Sequence, residues 1–284
     1  CAGKAPRMTK TILITGCSSG IGLDAARGLT RKGWVVLATC RREEDCARLR
    51  DEGLTSFVLD VGNPASIAAG WERAMEITGG TLDAIYNNAA FATPGAVEDL
   101  PPGALRENFE TNLFGLHDLT IRAIRVMRAQ GGHGRIVQCS SVLGIVGTPW
   151  RGSYVATKFA LEGLTEALRL EMRDTDIHVS ILNPGPIPTA FRKNSIPHFE
   201  KWVDWKTSAR REQYEGSLLK RLYQPGGKPD RFELPPSAVT AALLRALTDP
   251  KPRAHYHITH ATRLAELLRR VAPMSVRDWF LSRS

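Results

Sequence analysis

The sequence predicts an α/β protein built on a doubly wound parallel β-sheet with helices on both faces. Three observations carry this. Strand-length apolar runs alternate with helix-period segments along most of the chain. The runs are continuously apolar, as strands buried on both faces are. A glycine-rich turn joins the first run to the first helix, and right-handed crossovers between parallel strands then give the doubly wound topology. In order, strands are predicted at 11–15, 34–39, 56–59, 82–86, 136–139 and 177–182, with a last one near 255–258. Helices are predicted from the glycine turn to residue 31 and over 43–51, 64–77, 104–129, 153–173 and 236–247, with a helical segment at the end. From 189 to 233 the alternation stops, yet the stretch is too aromatic for a disordered linker. It reads as an insertion of short helices over the core.

Composition narrows the class. The 284 residues suit one domain, expected over 8–284, with residues 1–7 a remnant foreign to the natural chain and Met8 its start. Hydrophobic residues at 43% and charged residues at 24% fit a soluble globular protein. No apolar run reaches 18 residues, so no spanning helix is expected. The net charge of +9 is spread along the chain rather than blocked. It fits a polyanionic small molecule and argues against nucleic acid. Five cysteines without a C-x-x-C spacing offer no metal centre and no disulfide framework. Free thiols and the lack of an apolar leader lead to the expectation of a cytoplasmic protein.

The turn after the first strand reads Thr15-Gly16-Cys17-Ser18-Ser19-Gly20-Ile21-Gly22. Gly16 permits the tight turn, Gly20 lets the backbone approach a pyrophosphate, and Gly22 lets the helix pack against the strand. The helix N-terminus offers free N–H groups to the anion. Thr15, Gly16, Ser18, Ser19, Gly20, Ile21 and Gly22 are therefore the candidate phosphate-loop residues of a Rossmann-type dinucleotide site. The second strand ends in Thr39-Cys40-Arg41-Arg42, with no carboxylate to hold ribose hydroxyls. Guanidiniums suit a 2′-phosphate, so Arg41 and Arg42 select NADP(H) over NAD(H).

Tyr154 and Lys158, four apart near the start of a helix, lie on one face. A neighbouring ammonium is expected to lower the phenol's pKa, so that Tyr154 exchanges a proton near neutral pH. The pair alone is weak, since residue frequencies give Y-x-x-x-K by chance in about every second chain of this length. Its setting strengthens it. Ser141, thirteen residues upstream, follows the fifth strand at the carboxyl edge of the sheet, where a hydroxyl polarises a carbonyl oxygen.

With the loop, Asp60-Val61, Asn87-Asn88-Ala89-Ala90, Asn112, Ser141, Tyr154/Lys158 and Asn183-Pro184-Gly185 in order, the chain resembles the short-chain dehydrogenases/reductases of the compact single-domain branch. The resemblance runs strongly from about residue 9 to 189, and Ala90 stands where the family commonly has glycine. It implies that Asp60, with Val61, holds the adenine, that Asn87 and its neighbours Asn88, Ala89 and Ala90 line the cofactor and steady the central sheet, and that Asn112 joins Lys158 through a water. It implies that Lys158 also holds the nicotinamide ribose and that Pro184, Gly185, Ile187 and Thr189 border the nicotinamide. Asn112, Ser141, Tyr154 and Lys158 are then the catalytic set. The resemblance implies a homodimer or homotetramer.

Segment 189–233 would be the substrate lid, and its aromatics suggest a lipophilic ketone, aldehyde or alcohol, as in hydroxysteroid and retinol dehydrogenase-like members. The same aromatics would equally pack the lid onto the core. The tail mixes Leu264, Leu267, Leu268, Val271, Trp279 and Phe280 with arginines. Core or subunit interface is the expectation there, ahead of membrane contact. A rival reading is a dinucleotide-binding sensor or scaffold that kept the fold and lost catalysis. Intact Ser141, Tyr154 and Lys158 favour the enzyme.

Overall fold

The computed structural model describes residues 9–223 and 232–282. Residues 1–7, Met8 and the lid positions 224–231 lie outside the described residues. Seven strands form one sheet in the order β3-β2-β1-β4-β5-β6-β7. They are β1 (Thr11–Ile14), β2 (Val35–Cys40), β3 (Thr55–Val58), β4 (Ala84–Asn87), β5 (His133–Cys139), β6 (Asp176–Asn183) and β7 (His255–His257). Every neighbouring pair is parallel. The order reverses between β1 and β4, so the loops after those two strands open a crevice at the carboxyl edge.

Successive side chains of a strand face opposite sides of the sheet, and β1 shows it. Ile12 and Ile14 enter one cluster, with Ala25, Leu29, Leu243 and Ala246. Leu13 enters the other, with Trp71, Leu116, Leu119 and Met127. The helices supplying those faces are α1 (Gly20–Arg31), α2 (Glu43–Asp51), α3 (Pro64–Thr78), α4 (Pro102–Phe109), α5 (Gly115–Ala129) and α6 (Gly152–Glu171). Local chemistry sets their ends. Asn63 caps α3 by accepting from Ala65 and Ser66, with Pro64 at the first helical position.

The single helix expected over 104–129 is α4 and α5 joined by one π-helical segment, Glu110–Phe114, which contains Asn112. Such segments widen a helix and cluster at functional sites. The widened turn seats α5 on the loop after β3: a methyl group at Gly115 would lie 1.7 Å from the Val61 carbonyl oxygen.

The insertion is helical as expected: α7 (Phe191–Trp202), a short α8 (Arg211–Gln213), a π-helical turn (Tyr214–Leu218) and α9 (Leu219–Tyr223). Phe199, Val203, Tyr214 and Leu222 pack with Ala96, Leu100 and Ala104, flanked by Trp202 and Trp205. The Tyr214 hydroxyl donates to Asp99 (2.7 Å) and accepts from the Ala96 amide (2.8 Å). Most of the lid's aromatics therefore fasten it down.

Helix α10 (Pro236–Thr248) packs on α1, where Gly28 faces Thr240. Helices α11 (His260–Val271) and α12 (Met274–Leu281) close the described chain. Of the two settings expected for the tail's apolar residues, core or subunit interface, core does not hold within this chain: Leu264, Leu267, Val271, Trp279 and Phe280 are all exposed, because the buried residues of α11 are Thr262 and Ala265. Among the described residues no helix is long and apolar enough to cross a membrane.

Gly115→Ala is expected to destabilise the protein by about 3 kcal/mol or more, since the obstacle is backbone rather than a flexible side chain. A thermal melt checks it, and an unchanged midpoint would contradict the close approach of α5 to Val61.

Candidate active site

Side-chain bonds cross-link the loops after β1 and β4. Thr15 Oγ1 accepts from the amides of Asn88 and Ala89, both at 3.0 Å. Asn88 Nδ2 returns bonds to the carbonyls of Thr15 (3.0 Å) and Gly16 (3.2 Å). Gly16 takes φ +73°, and a Cβ there would meet Ala89 Cα at 2.9 Å. A Cβ on Gly22 would lie 2.2 Å from the Gly16 carbonyl oxygen. These bonds make Thr15 and Gly22 parts of the wall: both are buried and neither lines the cavity beside the loop. Gly16, Ser18, Ser19, Gly20 and Ile21 do line it.

That cavity, about 2180 Å³, is one space running along the carboxyl edge. It exceeds the roughly 300–1,000 Å³ of a drug-sized pocket and has room for a dinucleotide and a second molecule. The residues fit such a cofactor. Ser19 is extended ahead of α1 and its side chain makes no capping bond, so the first amides of α1 remain for an anion. Gly20, at φ +59°, presents bare backbone opposite Thr189. Asp60, Val61, Ala89 and Ala90 line the space between, and Asp60 is oriented by accepting from the Gly62 amide (2.9 Å). Asn87 stays out of the cavity, bonding Thr120 Oγ1 within the core (2.9 Å).

The two arginines at the end of β2 differ. Both line the cavity, but Arg42 turns its guanidinium onto Asp45, with both contacts at 3.2 Å. Arg41 is exposed, lines the cavity and makes no hydrogen bond or ion pair among the described residues. Arg48 of α2, which sequence reading passed over, bonds the Ser18 carbonyl at 2.6 Å and braces the loop.

At the other end of the cavity stand Ser141, Tyr154 and Lys158. Ser141 Oγ accepts from the Leu143 amide (3.1 Å), capping a short turn that aims the residue inward. Lys158 is buried and donates to the Cys139 carbonyl at 2.7 Å. Its ammonium lies 5.5 Å from the centre of the Tyr154 ring. Asn112 brackets this helix from behind. It donates to Thr157 Oγ1 (3.1 Å) and the Phe91 carbonyl (2.8 Å) and accepts from the Phe91 amide (3.0 Å). Through Thr157 its side chain touches the Lys158 helix directly.

The electrostatics correct one expectation. Lys158 does not hold the Tyr154 phenol below its ordinary range. Burial pushes the Tyr154 pKa well above the ordinary value and the Cys139 thiol adds to that, while Ser141 and Arg151 act the other way. Burial also lowers the pKa of Lys158. One turn further along α6, Glu162 accepts from Asn183 Nδ2 at 2.6 Å, and burial raises its pKa.

Behind Ser141, the Val142 amide donates to the Pro184 carbonyl (2.7 Å), which ties the segment after β6 to the site. Pro184, Gly185, Ile187 and Thr189 line the cavity there, and Phe191 stands edge-on to Tyr154 with ring centres 5.2 Å apart. Sequence reading missed Trp150, which lines the cavity at a left-handed φ of 66° and packs on Tyr214. The one available signal was its place between Ser141 and Tyr154, on the segment that must cross the cavity mouth.

Known proteins agree with this geometry. The family model described as short chain dehydrogenase matches residues 10–199. The uncharacterized oxidoreductase YbbO of Escherichia coli (strain K12) is 37% identical over 274 residues, spanning 96% of this chain and 94% of that protein. Human retinol dehydrogenase 8 is 36% identical over 197 residues, 66% of this chain and 61% of that protein. A solved short-chain dehydrogenase from Streptomyces avermitilis superposes with a TM-score of 0.77 at 26% identity, covering 96% of this chain and 95% of that one. The parallel sheet, the dinucleotide-sized cavity and these likenesses identify one family: this chain is an oxidoreductase belonging to the short-chain dehydrogenases/reductases, whose cofactors are NAD(H) or NADP(H).

Proposed function

We propose that the chain interconverts a carbonyl and an alcohol on a lipophilic substrate, with NADP(H) as the hydride partner and Tyr154 as the proton donor and acceptor. The observation that carries it is the convergence of Ser141, Tyr154 and Lys158 on one end of a cavity whose other end is the glycine loop. The cofactor, when bound, supplies or takes up the hydride. Asp60, the α1 amides, Arg41 and Lys158 would hold it, with Asn88, Ala90 and the 184–189 segment alongside.

The remaining chemistry belongs to the chain. In reduction the Tyr154 phenol gives its proton to the carbonyl oxygen while the Ser141 hydroxyl bonds that oxygen and stabilises its developing charge. In oxidation Tyr154 takes the hydroxyl proton back. A raised pKa means the phenol holds its proton through neutral pH and stands ready as an acid. The substrate class is supported by apolar residues of the lining: Phe191, edge-on to Tyr154, with Trp150, Val146, Leu218 and Leu222 elsewhere on the wall of the same cavity. The relative named for retinol supports the same class.

NADP(H) is favoured because Arg41 is an uncommitted guanidinium at the end of β2, whereas Asp45, a carboxylate lining the same cavity, is engaged by Arg42 and Arg48. A homodimer or homotetramer is supported by exposed Phe114 and Phe159, at the start of α5 and on α6.

Tyr154→Phe is expected to lower turnover by about 10²–10⁴-fold, the range for losing a general acid, with dinucleotide affinity kept. In an ultraviolet pH titration without cofactor, the wild-type minus Tyr154→Phe difference should show no phenolate below about pH 10, the free tyrosine value. Retained turnover, or a phenolate signal near neutral pH, would contradict the assignment. Arg41→Ala is expected to raise the Kd for NADPH about tenfold or more, the worth of a charge-assisted bond, and to leave NADH nearly unchanged. Equal effects on both would remove the NADP(H) preference. Phe159→Asp is expected to reduce the oligomeric state in sedimentation equilibrium, and an unchanged mass would place the interface elsewhere.

A further inference from the structure

We propose that α11 and α12 form a docking face for an anionic lipid bilayer, set at the mouth of the cavity so that apolar substrate passes from lipid to Tyr154. The entry route rests on the substrate reading above, while the docking does not. On α11, Leu264, Leu267 and Val271 recur at helical spacing and are 50%, 55% and 69% exposed, and Trp279 of α12 is 54% exposed. The opposite side of α11 is held inward by Thr262 and Ala265, with Ala265 packed on Ile145 and Val146, just beyond Ser141. The apolar row is therefore presented outward by a seated helix. It is also continuous with the site: Leu264, Leu268 and Phe280 line the cavity itself.

Charge decides what covers this face. From 260 to 282 the chain carries Arg263, Arg269, Arg270 and Arg277 against only Glu266 and Asp278. At 100° per residue, Arg263 and Arg270 fall beside the apolar row. Arg270 also pairs with Glu266 along α11 (2.6 Å), which leaves Arg263, Arg269 and Arg277 against Asp278; a second copy of the same face would bring this excess positive charge together, whereas an anionic surface neutralises it. An outward apolar row edged by arginines, with a tryptophan in the adjoining helix, is the pattern of a helix lying in a bilayer interface. The length of α11, twelve residues, allows it to lie on the surface and not to span.

The test is co-sedimentation of the full chain with phosphatidylcholine vesicles, with and without phosphatidylglycerol. Binding is expected to the anionic vesicles at least about tenfold above the neutral ones and to weaken with added salt. The triple variant Leu267→Ser/Val271→Ser/Trp279→Ser should lose that binding while still reducing a small water-soluble carbonyl at the wild-type rate, since none of the three lines the cavity. Arg263→Gln/Arg270→Gln, which spares the apolar row, should weaken anionic binding about tenfold. Wild-type protein that ignores anionic vesicles overturns the proposal. So does a triple variant that binds as well as wild type. A wild type that stays off vesicles while the triple variant drops in oligomeric state would assign the face to a second copy instead. Docking that persists while no lipophilic carbonyl is turned over would leave the face intact and remove the substrate reading.

Discussion

A buried ammonium organises the reacting end of this protein. Lys158 has no exposed surface to speak of, and a charge in that setting costs several kcal/mol unless it is bonded. Its bond to the Cys139 carbonyl meets that requirement and pins the first turns of α6 to the end of β5. Two other positions follow. Tyr154 lies one turn earlier on the same helix face, and Ser141 lies two residues beyond the accepting carbonyl. The bond from helix to strand end brings the three groups together, and the capped turn at Ser141 and the Asn112–Thr157 bond hold them there.

The phosphate end depends on a different tie with the same logic. Parallel strands place all their carboxyl ends on one edge, and the order reversal between β1 and β4 parts the loops there. Thr15 and Asn88 rejoin those loops below the cavity floor. The floor is therefore stiff, and its hydrogen bonds run between elements more than 70 residues apart. The lid is held separately, through Tyr214 and Asp99 and a cluster of its own. A cavity with a rigid floor and an independently packed roof suits a constant cofactor and a variable substrate.

Much of this was legible in the residues. Continuous apolar runs gave the strands, and the glycine spacing between the first run and the first helix gave the loop. What could not be read were features that depend on which side a helix turns. Periodicity marked 104–129 as one helix, since a π-helical turn at Asn112 adds a residue without disturbing composition. Arg41 and Arg42 look alike in sequence, and only the position of Asp45 one turn into α2 separates them. Lid aromatics suggested a substrate wall, yet Phe199, Trp202 and Tyr214 pack the lid while Phe191 faces Tyr154. The pKa of Tyr154 escaped for the same reason: spacing revealed the lysine but not the burial that outweighs it.

The role proposed for Ser141, Tyr154 and Lys158 is proton exchange with a carbonyl or alcohol oxygen beside a bound dinucleotide, so the decisive property is direct hydride transfer to a carbonyl carbon. The measurement is a turnover with NADPH deuterated at the reactive carbon of the nicotinamide, against a panel of lipophilic aldehydes and ketones, with the alcohol analysed by mass spectrometry. One deuterium bound to the former carbonyl carbon is the predicted result. Tight NADPH binding with no labelled alcohol from any carbonyl would contradict the account and leave a protein that holds the cofactor without using it.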